Sequence, residues 1–164
     1  ISSWNPVRNN TSSNKGPKDK TLLALERFKE MPELKQYFKK AEGYAVFPNV
    51  GKGGVGIGGA RGKGEVFQKG KVIGSTTLTQ VSIGFQLGGQ AFSQIIFFKS
   101  KRDIRRFTQG NFEFGASASA ALINAGAAVE TAYSNGIAVL TVSKGGLMYE
   151  ASIGGQKFSF EPYE

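Results

Sequence analysis

Residues 80 to 98, QVSIGFQLGGQAFSQIIFF, alternate apolar with small or polar side chains over most of their length. Apolar residues at 81, 83, 85 and 87 alternate with serine, glutamine and glycine at 82, 84, 86 and 88. In the second half, Phe92, Ile96 and Phe98 share a face with Gln94. Successive side chains of a β-strand point to opposite faces, so this two-residue period predicts two strands. Residues 72–98 contain no charged side chain, but their interspersed Ser, Thr, Gln and Gly exclude a membrane-spanning helix, which needs about twenty mostly apolar residues.

The chain before these strands has the period of amphipathic helices. In KDKTLLALERFKEM, residues 18 to 31, the side chains of Leu22, Leu25 and Phe28 share one stripe. Pro32 is suited to begin a second helix. The apolar face of that helix consists of Leu34, Tyr37, Phe38 and Ala41. We expect a helical hairpin that packs on the rest of the domain, and a face that inserts into a membrane is the alternative.

SKRDIRRFTQG, residues 100 to 110, predicts a short basic helix. Ser100 and Asp103 have the spacing of a capping box, and Gly110 is a stop signal. Ile104 and Phe107 are the expected inward anchors. The four cations of this helix are Lys101, Arg102, Arg105 and Arg106. They either form a solvated face or attract phosphates, at about 1 kcal/mol per cation near an anionic bilayer.

Further strands are predicted around residues 112–121, 137–143, 147–153 and 157–160, separated by turn sequences such as SNG and KGG. Together these elements predict an α+β fold. The N-terminal helical hairpin packs on a glycine-rich, curved or barrel-like antiparallel sheet, with the short basic helix inserted. Residues 1–17, rich in Ser, Asn, Gly and Pro, are expected to form a flexible leader or tether, and residues 18–164 a single domain.

The most glycine-rich segment is FPNVGKGGVGIGGARGKG, residues 47 to 64, in which GVGIGG has the spacing of a dinucleotide-binding turn. That turn requires a following helix and an acidic residue about twenty positions on. Here a hairpin-like sequence follows and the acid is missing. Two interpretations remain: backbone N–H groups beside Lys52, Arg61 and Lys63 bind a phosphate, or the glycines allow close strand packing. Glycines at 54, 56, 58, 84 and 88 leave one sheet face nearly bare, which suits close packing or a bound chain.

The composition narrows the possible functions. The 164 residues carry a net charge of +9, which favours an anionic partner: nucleic acid, an anionic membrane surface or an acidic protein. No nucleic-acid-binding motif is present, so only non-specific electrostatic binding is supported there. The sequence has no histidine or cysteine, which removes Ser-His-Asp and Cys-His catalysis and the usual zinc ligand sets. We therefore expect no enzyme activity, no metal and no cofactor.

Four strings in order carry a family resemblance. They are YAVFPNVGKGGVGIGGARGKGEV (44–66), SIGFQLGGQAFSQIIFF (82–98), FEFGASASA (112–120) and SKGGLMYEASIGGQKF (143–158). Their succession resembles the SYLF domain family, also called the Ysc-type actin-binding family, over roughly residues 20 to 160. The ending GLMYEASIGGQKF is most similar to the bacterial branch, whose members are usually exported and often lipoproteins.

The resemblance implies phospholipid binding at a membrane surface without enzyme activity. In eukaryotic relatives an N-terminal amphipathic helix and basic residues bind phosphoinositides, and some fungal members bind actin filaments. The matching positions here are the helix at residues 18–31 and its cations Lys18, Lys20, Arg27 and Lys29. AVLTVSKGGL, residues 138–147, departs from the Tyr-Ser-rich eukaryotic pattern, which weighs against actin.

Together, these observations predict a non-enzymatic domain of a bacterial envelope protein that binds anionic phospholipids. We expect it in the periplasm or at the outer membrane, with a lipid anchor upstream of Ile1. The alternative is a structural or interaction module for an acidic protein partner or actin. The predicted lipid- or phosphate-binding residues are Lys18, Lys20, Arg27, Lys29, Lys52, Arg61, Lys63, Lys101, Arg102, Arg105 and Arg106.

Overall fold

The structure, a computed structural model, describes residues 17–51, 60–80, 91–110, 112–113, 136–143, 148–149 and 156–163. Helix α1 (Asp19–Glu30) leads through a 3-10 turn (Pro32–Leu34) into helix α2 (Lys35–Lys40), and helix α3 (Lys101–Thr108) follows later in the chain. Both predicted N-terminal helices are present, and their pairing as a hairpin stays a prediction. Each helix in these ranges is too short or too polar to traverse a bilayer.

The described strands form one antiparallel sheet, so the predicted α+β class is confirmed. The strands are β1 (Gly43–Gly51), β2 (Ala60–Gln68), β3 (Lys71–Gln80), β4 (Phe92–Phe98), β5 (Phe112–Glu113), β6 (Ile137–Ser143), β7 (Met148–Tyr149) and β8 (Gln156–Pro162). Their order is β5-β8-β3-β2-β1-β4-β6-β7, with a two-residue strand at each edge of six longer ones. Within the described residues β5 and β7 do not pair, so the sheet is open and the barrel-like expectation is wrong. Local periodicity specifies strands, but closure depends on pairing between the outermost ones.

Several strand predictions are confirmed. The second half of the opening stretch forms β4, residues 137–143 form β6, and residues 157–160 lie within β8. The RGKGEVFQKGK segment belongs to the β2–β3 hairpin, whose turn residues Lys69 and Gly70 have φ of 52° and 82°. Positive φ at both central residues is what a type I′ hairpin turn requires. The predicted strand at residues 81–88 lies outside the described residues.

Apolar side chains cover both faces of the sheet at its centre. One side, the α1 face, carries Tyr44, Val46, Phe67, Ile95, Phe97, Ala138, Leu140 and Val142, which pack with α1 and α2. The other side, the α3 face, carries Ala45, Phe47, Val66, Leu78, Ile96, Phe98, Val139 and Phe158, which pack with α3. Because both faces are buried, the strand sequences YAVF, IIFF and IAVL are continuously apolar. Helices α1 and α3 therefore lie on opposite faces of the sheet.

Helix α1 is rotated relative to the predicted stripe. Leu25 and Phe28 are buried as expected, but Leu22 is 39% exposed. Thr21 and Ala24 complete the buried stripe instead. These two small side chains let the helix approach the sheet closely, and the rotation that places them inward turns Leu22 toward solvent. The prediction that Leu22 belongs to the buried stripe is therefore wrong.

Helix α3 follows the sequence prediction closely. The capping box between Ser100 and Asp103 is present, and Ile104 and Phe107 are buried. Gly110 has a φ of +88°, which suits its predicted role as the stop after the helix.

Three buried glutamines connect distant strands on the α3 face. The side-chain amides of Gln94 and Gln156 each donate to the other's oxygen at 3.0 Å, and Gln156 Nε2 also donates to Gln80 Oε1 at 2.8 Å. Strand β4, which carries Gln94, and strand β8, which carries Gln156, are four places apart in the sheet order. The Gln94–Gln156 pair therefore links two strands that do not pair through their backbones, whereas Gln80 and Gln156 lie opposite each other on the paired strands β3 and β8.

Candidate functional site

A half-open groove of about 400 Å³ runs along helix α1, and we call it the α1 groove. Its lining residues are Lys20, Leu23, Ala24, Arg27, Phe28, Met31, Pro48, Asn49, Ser93 and Val142. Leu23 is 58% exposed and lies between Lys20 and Arg27 on one side of the helix, at spacings of three and four residues. The groove thus has a mostly apolar lining and a basic rim.

The wall opposite α1 comes from an irregularity in strand β1. The pairing register of β1 shifts between Val46 and Asn49 against β2, and between Phe47 and Val50 against β4. Pro48 lies at this shift, where a residue without an N–H is tolerated because the ladder is interrupted. Ser93 Oγ donates to the Pro48 carbonyl at 2.8 Å and holds the bulge against β4. The sequence FPNVG therefore shapes this wall of the groove.

A second depression of about 460 Å³ adjoins the α1 groove, and we call it the basic depression. Its lining residues are Lys18, Asp19, Lys20, Thr21, Pro48, Asn49, Lys63, Gly64 and Glu65. Lys20, Pro48 and Asn49 line both spaces, so the apolar groove continues into the basic depression.

Glu65 fixes the N-terminal end of α1 to the sheet. Only 1% of this residue is exposed; its Oε1 accepts from the Lys18 backbone N–H at 2.8 Å and its Oε2 from the Tyr163 hydroxyl at 2.7 Å. Burial, together with the hydrogen bond to Glu65, raises the pKa of Tyr163 well above its ordinary value. Because the Glu65 oxygens face these two donors, the side chains of Lys18, Lys20 and Lys63 form no ion pair within the described part of the chain.

The α1 face of β2, β3 and β8 forms a polar shelf beside the basic depression. Arg61 pairs across the strands with Thr79, and Thr79 with Lys157. A third depression, of about 580 Å³, lies here and is lined by Arg61, Thr77, Thr79, Lys157, Phe158, Ser159 and Glu161. The alternation along β2 places Arg61, Lys63 and Glu65 on this same side of the sheet.

The predicted site residues divide into separate groups. Lys18, Lys20 and Lys63 meet at the basic depression, while Arg27 lies on the α1 groove. Arg61 lies farther along, on the polar shelf. Lys29 points elsewhere, since its Nζ lies 5.9 Å from the centre of the Phe38 ring. Lys52 lies outside the described residues.

The four cations of α3 form a group of their own beyond the opposite face of the sheet. Lys101, Arg102 and Arg105 are exposed, and Arg106 is half-buried. Arg106 lies 4.0 Å from an oxygen of Asp103 and 6.0 Å from the centre of the Phe112 ring. The fold therefore does not bring the α3 cations together with those of α1.

Two residues of the site were missed by sequence reasoning. Leu23 was not assigned to either face of α1, although a second leucine beside Leu22 was a visible signal that one apolar side chain would be left outside the buried stripe. Lys157 was predicted only as part of a strand. Its place opposite Thr79 depends on the β3–β8 register, which local periodicity does not specify.

Gly62 and Gly64, near the end of the glycine-rich segment, support the interpretation that its glycines allow close strand packing. A β-carbon on Gly62 would lie 2.7 Å from the Asn49 carbonyl oxygen, and one on Gly64 would collide with the Val46 carbonyl oxygen and the Phe47 ring. These two positions require glycine because neighbouring strands approach them closely. Glycines 54, 56, 58, 84 and 88, predicted to form a bare face, lie outside the described residues.

An open antiparallel sheet with helices on both faces defines an α+β domain, and the described residues include no cluster of three potential metal-ligating side chains. The family model described as "Ysc84: Las17-binding protein actin regulator" matches residues 79–163. The chain belongs to this family, which confirms the SYLF resemblance.

A curated relative extends the match toward the N-terminus. Beta cell expansion factor A from Aeromonas veronii is 28% identical over 142 residues, which cover 85% of this chain and 53% of that protein. The chain therefore spans about half the length of the curated relative it matches. Helix α3 lies inside the segment matched by the family model, whereas α1 lies before it, and the lining of the α1 groove comes from both parts of the chain.

Proposed function

We propose that this domain binds anionic phospholipids at a membrane surface through the α1 face. The observation that carries the proposal is the continuity between the apolar α1 groove and the basic depression. A phospholipid has the same order of chemistry, with an apolar chain joined to an anionic phosphate headgroup. The chain side of the lipid would lie beside Leu23 and the phosphate beside Lys18, Lys20 and Lys63.

The apolar contact at Leu23 and the cations around it contribute comparable free energies to lipid binding. Burying one leucine side chain in an apolar environment contributes about 1.5–3 kcal/mol. Each Lys or Arg near an anionic bilayer contributes about 1 kcal/mol. Leu23 with Lys20, Arg27 and Lys63 is thus sufficient for reversible attachment but not for permanent insertion, which suits a peripheral domain. An upstream lipid anchor in a bacterial envelope protein, in the periplasm or at the outer membrane, is part of the same proposal.

Vesicle cosedimentation tests the proposal. In the α1 variant, Lys20→Glu, Arg27→Glu and Lys63→Glu are combined; in the control, Lys35→Glu, Lys69→Glu and Lys71→Glu make the same change in net charge at other exposed positions. We expect the wild type to bind phosphatidylglycerol vesicles and not phosphatidylcholine vesicles. The α1 variant should lose at least about a hundredfold in affinity, and the control variant much less.

Two results contradict this function. One is equal binding of the wild type to anionic and neutral vesicles. The other is equal loss of binding in the α1 variant and the charge-matched control, which would show that net charge, rather than the α1 face, attracts the membrane. Far-ultraviolet circular dichroism checks that each variant is folded.

A second candidate function rests on the family description, which names an actin regulator that binds Las17. Under this alternative the domain is a non-enzymatic interaction module whose basic surface contacts actin or another acidic protein. Cosedimentation with actin filaments distinguishes the two. Retention by filaments at physiological salt, without retention by anionic vesicles, favours the protein partner.

A further inference from the structure

We propose that this domain joins two anionic membrane surfaces, one at the α1 face and the other at the exposed side of α3. The first contact rests on the proposed function. The sequence already predicts phosphate binding by Lys101, Arg102 and Arg105. The new step assigns them to a second membrane, separate from the one at the α1 face, which gives the domain a membrane-tethering role.

The cations on α1 and those on α3 are arranged for contacts in different directions. Leu25 and Phe28 anchor α1 on one face of the sheet, whereas Ile104 and Phe107 anchor α3 on the other. Each helix is about 10 Å across, and the sheet lies between them. The two cation groups are therefore separated by roughly 20 Å, well beyond the Debye length of about 8 Å at physiological salt. A flat bilayer docked on the α1 face does not reach α3.

The exposed side of α3 carries a concentrated positive charge. Lys101, Arg102 and Arg105 are exposed and form no ion pair within the described residues. The acidic residue of the helix, Asp103, is buried and accepts hydrogen bonds from the backbone N–H and the hydroxyl of Ser100 at 3.1 and 2.8 Å. The helix therefore presents three cations to solvent while its carboxylate faces inward.

The chemistry of this surface favours a lipid over a protein partner. Among the described residues, the exposed large hydrophobic side chains are Leu22 and Leu23, and both belong to α1. Stable protein interfaces depend on buried apolar or aromatic anchors at their centre, which the exposed side of α3 lacks. An anionic bilayer needs only accessible positive charge, and α3 supplies it.

A vesicle-capture experiment tests the second contact with the full chain. Protein is bound to a supported bilayer of phosphatidylcholine and phosphatidylglycerol, and fluorescent vesicles of the same composition are then added. The α3 variant combines Lys101→Glu, Arg102→Glu and Arg105→Glu, and the charge-matched control is again Lys35→Glu, Lys69→Glu and Lys71→Glu. We expect all three proteins to coat the first bilayer. The α3 variant should capture the second vesicle about a hundredfold more weakly than the wild type, because it loses three cations.

The outcomes separate this inference from the proposed function. If the wild type does not coat the first bilayer, the proposed function fails. If it coats the bilayer but captures no vesicle, only the tethering role fails. Capture by the α3 variant at the wild-type level also overturns the inference, because protein pairs would then link the membranes. Preferential binding of soluble poly-glutamate to α3, in place of the second vesicle, would assign this surface to an acidic protein and overturn it too.

Discussion

Helices α1 and α3 are both amphipathic and both carry cations, yet they differ in what they leave exposed. Helix α3 buries its anchors Ile104 and Phe107 and presents only charged or polar side chains outward. Helix α1 buries four residues but leaves Leu22 and Leu23 in solvent beside its cations. The exposed part of a leucine side chain gains free energy only when a partner covers it. The comparison shows that two amphipathic helices can serve different surfaces. Helix α1, with three cations, three carboxylates and exposed leucines, is suited to an amphiphile, whereas α3, with four cations and one carboxylate, is suited to charge alone.

The largest expected effect is on stability, and it concerns the buried residues that hold α3 on the sheet. Phe107→Ala should lower the free energy of unfolding by about 3–5 kcal/mol, the usual cost of removing a buried aromatic ring. Phe107 is fully buried, and its ring centre lies 4.9 Å from that of Phe98 and 5.1 Å from that of Phe158. Urea unfolding measures the change. A loss below about 1 kcal/mol would mean that α3 does not pack on the sheet as described.

The next effect concerns the exposed side of α1. Leu23→Ser should leave the free energy of unfolding within about 0.5 kcal/mol of wild type, because the side chain is exposed. It should weaken binding to anionic vesicles at least about tenfold, because the buried apolar contact with the lipid is lost. Cosedimentation and urea unfolding on the same samples separate the two quantities. Unchanged vesicle binding would remove Leu23 from the lipid contact and make α1 an electrostatic surface like α3.

A smaller effect compares how the two helices begin. Helix α3 has a side-chain cap at Ser100, whereas Lys18 provides none for α1 and its backbone N–H is instead bound by Glu65. Ser100→Ala should lower the free energy of unfolding by about 1 kcal/mol, because the cap and its bond to Asp103 are lost. Ser100→Thr is the conservative control and should retain most of the stability. Equal stability of Ser100→Ala and wild type would show that the capping box is not energetically important.

The smallest expected effect concerns the link from α1 to Tyr163 and appears at high pH. The Tyr163 pKa is raised above the ordinary value of 10.0, first by burial and then by the hydrogen bond to Glu65. Above that pH the unfolded chain loses this proton more readily than the folded one, so the free energy of unfolding should fall as pH rises. In Tyr163→Phe this fall should be less steep. Urea unfolding at about pH 8 and about pH 11 measures the difference. Parallel curves for variant and wild type would contradict the contact with Glu65.

The sequence predicts local features of the fold better than distant ones. The capping box, the anchors of α3 and strands β4 and β6 were all predicted, because each depends on residues a few positions apart. The rotation of α1 was not. Leu22 fits a helical stripe as well as Ala24 does, and the choice between them depends on how closely the sheet lets the helix approach.

The candidate site was also predicted only in part, because some of its residues are close in sequence and others are brought together by distant contacts. The exposed cations of α3 were predicted as one group because they are close in sequence. Lys63 meets Lys18 and Lys20 only because β2 pairs in a specific register and Glu65 holds the start of α1. The separation of α3 from α1 likewise depends on which side of the sheet each helix covers. Composition gives the total charge, and the fold decides how it is divided between surfaces.

The glutamine cluster on the α3 face has a consequence for how relatives of this chain diverge. Gln94 and Gln156 exchange a reciprocal pair of amide hydrogen bonds, so replacing either one alone leaves the other amide buried without that partner. Gln80 Oε1 accepts a hydrogen bond from Gln156 Nε2, so a change at Gln156 also removes this bond. An alignment of the family should therefore show these three columns changing together, either all retaining amides or all becoming apolar.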